Sequence, residues 1–222
     1  MKFSRLTVGL RPAVVAAAVA LAMAGSHPLA ASAETTIDIA PMNQQNGAWA
    51  GTRLGTSPTE TIGSAGCAIT AVAMMLQFYD INPDPGVFNA WLTANGGYAF
   101  DDMLIWNAVT AYSGGRVTFS GWLGPDLGVI EAELDAARPV IAEVQLNGNQ
   151  HFVLLTGYTL SGGLVINDPW FGDVVSFNAR YGDPATGILS IRTFMVGEPA
   201  GLRVDGRVSW VANGMSAQRL AR

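Results

Sequence analysis

Two side chains with the makings of covalent acyl chemistry stand out in this chain of 222 residues. Cys67 is its single cysteine, and His151 is the single histidine beyond position 33, the other being His27. A thiolate supplies a nucleophile and an imidazole supplies the base that generates it. Beyond position 33 neither has a competitor of its own type.

The element that must carry Cys67 is the run CAITAVAMMLQFY, residues 67–79, in which only Thr70 and Gln77 are clearly polar. That pattern predicts a helix apolar nearly all round, which belongs at the centre of a fold. Gly63-Ser64-Ala65-Gly66 leads into it, and Ser64 is the candidate cap that would put Cys67 in the first turn. There, unpaired backbone N–H groups and the positive end of the helix dipole favour a thiolate. A buried, inert cysteine is the plain alternative; the flexible approach and the helix-start position favour the nucleophile.

His151 opens the strand-like run HFVLLTGY directly after Asn147-Gly148-Asn149-Gln150. An imidazole at a strand end is held rigidly yet faces an opening, as a general base must. A third group is needed to fix its tautomer through the nitrogen the thiol does not use. Asp168, 17 residues further on at the end of the next predicted strand, is the candidate, with the adjacent Asn167 as rival. Alternation along a strand lets only one of the two face the site.

The remaining elements follow from patterning. Asn82-Pro83-Asp84-Pro85-Gly86 ends the first helix with turn chemistry. Helices are predicted around residues 87–93, 102–112 and 126–137, the last ended by Pro139. Strands follow in PVIAEVQL, HFVLLTGYTL and LVIND, separated by hairpin-type turns, with weaker candidates at 174–177 and 188–191. Helices first and antiparallel strands second is an α+β layout. Trp49, Trp106, Trp122 and Trp170 are candidates to line a cleft between the two halves, although tryptophans at such spacings commonly belong to a core.

Residues 1–33 read as a secretory signal peptide: a basic start (Lys2, Arg5, Arg11), an apolar run from Ala13 to Ala24, and the small-residue site Ala31-Ser32-Ala33. The apolar run falls short of the roughly 20 residues a membrane span needs. Removal of this piece takes three of the 12 basic residues and none of the 17 acidic ones, so the net charge goes from −5 to −8 and no lysine remains. An acidic surface of this kind argues against nucleic acid and anionic lipid as partners. The expected organisation is a single domain over residues 34–195 and a C-terminal extension, hairpin or tail, over residues 196–222.

At this point the residues resemble the compact papain-like cysteine peptidases related to the bacteriocin-processing, double-glycine-leader peptidases, family thirty-nine of the cysteine peptidases. The resemblance lies in Gln44-x4-Trp49-Ala50-x3-Leu54-Gly55 and in Thr61-Ile62-x3-Gly66-Cys67-Ala68-x-Thr70-x2-Ala73-Met74. It continues in His151-Phe152-Val153 with Thr156-Gly157 and in Asp168-Pro169-Trp170.

It implies a papain-like α+β fold whose N-terminal helical half, with the Cys67 helix at its centre, packs on a C-terminal antiparallel sheet. It further implies Cys67 as nucleophile, His151 as base, Asp168 as orienting acid and Gln44 as the oxyanion-hole side chain, with Gln45 and Gln150 as weaker matches for that last role. The Cys-x2-Cys-aromatic context of larger relatives is absent, and His151 follows Cys67 by 84 residues, where those enzymes need roughly 130 or more. The transporter domains that accompany leader peptidases have no counterpart in these residues, so bacteriocin maturation is not the expected process.

The expectation is a secreted, monomeric bacterial thiol hydrolase that cuts a peptide or isopeptide bond of a peptide or protein, cell-wall peptide included, through an acyl-enzyme. A cell-wall amidase or an acyl transferase would use the same groups. A secreted papain-like module that binds peptide or cell wall without chemistry is the alternative from another class. No cofactor is implied, and one cysteine, one histidine and scattered carboxylates make no zinc spacing. Asp84 and Asp101-Asp102 lack the ligand pattern of a calcium loop and read as turns and helix starts.

Overall fold

The computed structural model describes residues 34–197. The signal-peptide assignment, residues 1–33, and nearly all of the C-terminal extension lie outside the described residues. The elements in chain order are β1 (Thr35–Thr36), α1 (Ile62–Ala65), α2 (Cys67–Phe78), α3 (Pro85–Ala94), β2 (Tyr98–Ala99), β3 (Met103–Leu104), α4 (Ala108–Tyr112) and β4 (Val117–Leu123). There follow α5 (Leu127–Asp135), β5 (Val140–Leu146), β6 (Asn149–Tyr158), β7 (Leu164–Asp168), β8 (Asp173–Ser176), α6 (Phe177–Tyr181), α7 (Pro184–Gly187) and β9 (Ser190–Val196).

The apolar run beginning at Cys67 is helical, as its composition demands, and Ile69 to Leu76 are buried without interruption. A helix without a polar face needs partners on every side; α2 packs against both α3 and β6. Asp84 caps α3 by accepting from the Val87 N–H at 2.7 Å, and Pro85 occupies the first turn, where its missing N–H costs nothing.

The main sheet runs in the order β4-β9-β5-β6-β7-β8, every pair antiparallel, with β1 added alongside β6. The β5–β6 turn is Asn147-Gly148, with φ of 53° and 80°. Positive φ at both central positions matches the right-handed twist of the flanking strands, and it sets the register that pairs His151 with Val144. Pairing of Leu154 with Asn167 then brings the end of β7 level with the start of β6. This is the α+β, papain-like arrangement expected, with the cysteine-bearing helix packed on an antiparallel sheet.

Two expectations about elements need correction, and a third element has no expectation to match it. Residues 102–112 do not form one helix: β2 and β3 pair as a small hairpin, and the helix is confined to Ala108–Tyr112. The Ile105 N–H bonds back to the Gly97 carbonyl, and the Tyr98 hydroxyl is anchored on Asn89 Oδ1 at 2.7 Å, so tertiary bonds outweigh the helical pattern. The strand predicted at 188–191 is shifted and longer, Ser190–Val196. Its edge partner β4 has no counterpart in the sequence reading, because Ser120 and Gly121 interrupt its alternation at a register shift between Phe119 and Gly121.

Candidate active site

Cys67 is the first residue of α2, and the chain reaches it through a different cap from the one expected. Ser64 does not cap α2. It is the third residue of α1, where it shares a capping box with Thr61: the Ser64 N–H donates to Thr61 Oγ1 at 3.2 Å and the Thr61 N–H to Ser64 Oγ at 2.8 Å. Gly66 stands between the two helices and makes no side-chain cap, so the first turn of α2 is left open at the point where Cys67 sits. A Cβ on Gly66 would lie 2.5 Å from the Ile62 carbonyl oxygen, so only glycine fits this junction. The Gly66 carbonyl is pinned by the Thr70 N–H at 3.0 Å and the Thr70 hydroxyl at 2.8 Å.

His151 stands beside Cys67, and both line a cleft of about 440 Å³. The imidazole Nε2 bonds to Asp168 Oδ1 at 2.9 Å, in a setting where His151 is 3 % and Asp168 0 % exposed. With Nε2 engaged, Nδ1 is the nitrogen left for the thiol. Burial opposes the charged imidazolium, yet the bond to Asp168 and the Cys67 thiolate outweigh it and push His151 up to about 9. Burial likewise opposes ionisation of Asp168, but bonds from His151 and Tyr181 hold its carboxyl below the usual carboxylate range.

Asn167, the rival for that role, points elsewhere: its Nδ2 donates to the Ile39 carbonyl at 2.7 Å in the core beside Met74 of α2. Adjacent residues on a strand face opposite sides, so β7 gives Asp168 to His151 and Asn167 to the N-terminal segment.

Gln44 is buried at the cleft. Its Nε2 donates to the Gly63 carbonyl at 3.1 Å, which fixes the amide with nitrogen on that side. Oε1 is buried without a partner among the described residues. The segment is tied to the sheet by the Gln44 N–H, which donates to the Pro169 carbonyl at 2.8 Å, next to Asp168. Gln45 is exposed, and the Gln150 amide is given to Glu143 Oε1 at 2.7 Å.

Of the four tryptophans singled out, Trp106, Trp122 and Trp170 line the cleft, whereas Trp49 packs against the core with its Nε1 donating to the Asn43 carbonyl. Sequence reading passed over the residues that fix these walls. Arg192 is fully buried beneath Trp122, 3.7 Å from the ring centroid, and donates to Glu143 Oε2 at 2.9 Å and Ser190 Oγ at 2.7 Å. It also passed over Arg180 and Tyr181, which both reach Asp168 Oδ2. With no lysine and few arginines in these residues, asking which carboxylate each arginine neutralises would have pointed to both clusters.

Asp84 serves as the α3 cap, and Asp101 Oδ1 accepts from the Thr56 hydroxyl at 2.8 Å. Among the described residues no three His, Cys, Asp or Glu side chains group as metal ligands, and no helix is long and apolar enough to cross a membrane.

A thiol at an open helix start, an imidazole bonded through its far nitrogen to a buried carboxylate, and a buried amide beside them form a constellation suited to acyl transfer. No curated protein matches the chain. Residues 36–182 match the Peptidase_C39-like family, a span that contains Gln44, Cys67, His151 and Asp168. The chain therefore belongs to the Peptidase_C39-like family, a family of cysteine-peptidase-type hydrolases.

Proposed function

We propose that this protein is a secreted hydrolase that cleaves a peptide or isopeptide bond through an acyl-enzyme on Cys67. His151 holds the thiol proton as imidazolium and later delivers it to the leaving amine. Asp168 orients and stabilises that imidazolium. The observation that carries the reading is the His151 Nε2 to Asp168 Oδ1 bond of 2.9 Å in a cleft that also holds Cys67, since it leaves Nδ1 to serve the thiol.

The second N–H of Gln44 and the backbone N–H of Cys67 are the donors for the oxyanion that forms when the thiolate adds to the carbonyl. One such donor contributes roughly 3 kcal/mol of transition-state stabilisation. The carbonyl then re-forms as a thioester with departure of the amine, and water releases the acid. The mostly apolar cleft, walled by Trp106, Trp122, Leu104 and Leu146, suits an extended peptide. The leader-like residues 1–33 support export, and an acidic chain without a lysine beyond them leaves peptide rather than nucleic acid or anionic membrane as the partner.

The test is a digest of a peptide library and of purified cell-wall peptide, with acid quenching and mass spectrometry of the protein. An acyl adduct on the peptide containing Cys67, absent in Cys67→Ala, together with new amine termini in the digest, is the expected result. Turnover that survives Cys67→Ala overturns the reading. Binding of peptide without turnover by the wild type would assign the protein instead to non-catalytic recognition.

A further inference from the structure

Asp168 has no exposed surface, and four donors converge on it. Oδ1 accepts from His151 Nε2 at 2.9 Å and from the Trp170 N–H at 3.0 Å; Oδ2 accepts from the Tyr181 hydroxyl at 2.7 Å and from Arg180 Nη1 at 3.1 Å. A carboxylate offers about four lone-pair sites, so these four bonds saturate it.

Arg180 and Tyr181 are consecutive residues closing α6, an element with no other part in the site. Arg180 is itself fixed: Nη1 and Nη2 reach Asp173 Oδ1 and Oδ2 at 2.7 and 2.8 Å, and its guanidinium lies 4.1 Å from the Phe171 ring centroid. Asp173 pairs with Asp168 across β7 and β8, so two carboxylates on neighbouring strands share one cation. The Tyr181 ring stands beside the imidazole, with centroids 6.4 Å apart.

The saturation has a consequence for the proton on His151. Arginine and a backbone N–H can only donate, and burial together with the Asp168 charge raises Tyr181 so that its hydroxyl stays protonated. Three of the four sites are thus occupied by donors from a fixed frame, and the one remaining lone pair faces Nε2. We propose that Arg180 and Tyr181 are positioning residues, which hold the Asp168 carboxylate in the orientation that keeps a proton on His151 Nε2 and leaves Nδ1 facing Cys67. This rests on the catalytic reading above. The groups that bear on His151 titration are Asp168 from β7, Tyr181 and Arg180 from α6, Asp173 from β8 and Cys67 from α2.

The experiment needs no substrate. In the full chain with ¹⁵N-labelled histidine, with His27→Ala used to assign the two imidazoles, the titration of His151 is followed in wild type and in Tyr181→Phe, which removes one oxygen and no charge. Release of Oδ2 lets the carboxylate turn away from Nε2, so the His151–Asp168 bond weakens and the midpoint is expected to move to lower pH by about one pH unit, the worth of one hydrogen bond. A move to higher pH, the result if Tyr181 only draws charge off the carboxylate, would overturn the proposal. Alkylation of Cys67 by iodoacetamide at pH 7 is expected to slow about tenfold. Arg180→Lys keeps the charge and loses the fork, and it is expected to move both readouts the same way.

A folded Tyr181→Phe protein with unchanged His151 titration and unchanged alkylation would make the pair a staple of α6 to the sheet and overturn the proposal. Wild-type readouts from Arg180→Lys would remove Arg180 from it. Should the wild type cleave no peptide at all, the catalytic reading falls, while the His151 titration still decides whether the frame controls the imidazole.

Discussion

At the scale of single residues, Asp168 and Asn167 show what adjacent positions on a strand can be made to do. Replacement of Asp168 by Asn sets an NH₂ either against the His151 Nε2–H and the Trp170 N–H or against Arg180, donor against donor whichever way the amide turns. Asp168→Asn is therefore expected to cut turnover by about 10²-fold or more. Asn167→Ala removes a buried bond to the Ile39 carbonyl and is expected to cost about 1–3 kcal/mol of stability with turnover of the folded protein preserved. Steady-state kinetics beside chemical denaturation of the two variants checks this; a larger loss of turnover in Asn167→Ala would reverse the assignment. The period of two on β7 tells a reader that one of the pair faces the imidazole, but not which, since that depends on where the hairpin register falls.

At the scale of elements, the junction of α1 and α2 carries Cys67. The apolar run after Cys67 makes α2 legible from composition alone, and hairpin residues such as Asn147-Gly148 make β5 and β6 legible too. The short α1 is not: its four residues owe their helical turn to the Thr61–Ser64 capping box and to Gly63 bonding the Ala50 carbonyl, a contact from 13 residues away. The same limit hides β4, an interrupted edge strand, and α6, whose five residues are set by the partners they reach. Gly66→Ala tests the junction, because its new methyl would meet the Ile62 carbonyl oxygen at 2.5 Å. Thermal melting should show a loss of about 1–3 kcal/mol, with turnover of the folded protein reduced because Cys67 is displaced. Wild-type melting and turnover would contradict the proposed rigidity of the junction.

At the scale of the whole molecule, the helical half carries Cys67, the sheet carries His151 and Asp168, and the cleft lies where they meet. The fold class follows from the order of the patterns, helices then strands; the walls of the cleft do not, because the Arg192–Glu143–Ser190 cluster beneath Trp122 joins residues almost 50 positions apart. The buried pair also ties stability to pH. His151 is raised in the fold from its ordinary 6.5 to about 9, so its contribution is complete below pH 6.5 and is lost as pH rises through 9. Asp168 is lowered, so its share is present above the ordinary carboxylate range and is lost as pH falls through its folded value. Melting curves of wild type and His151→Ala should therefore converge between pH 6.5 and 9; a constant difference across that window would contradict the coupling.

The central claim is that His151 makes Cys67 a nucleophile. Its most direct measurement is the rate at which iodoacetamide alkylates Cys67 at pH 7 in wild type and in His151→Ala. The account predicts rapid modification of the wild type and a rate lower by about tenfold or more without the imidazole; equal rates, or a wild-type thiol that does not react, would contradict it.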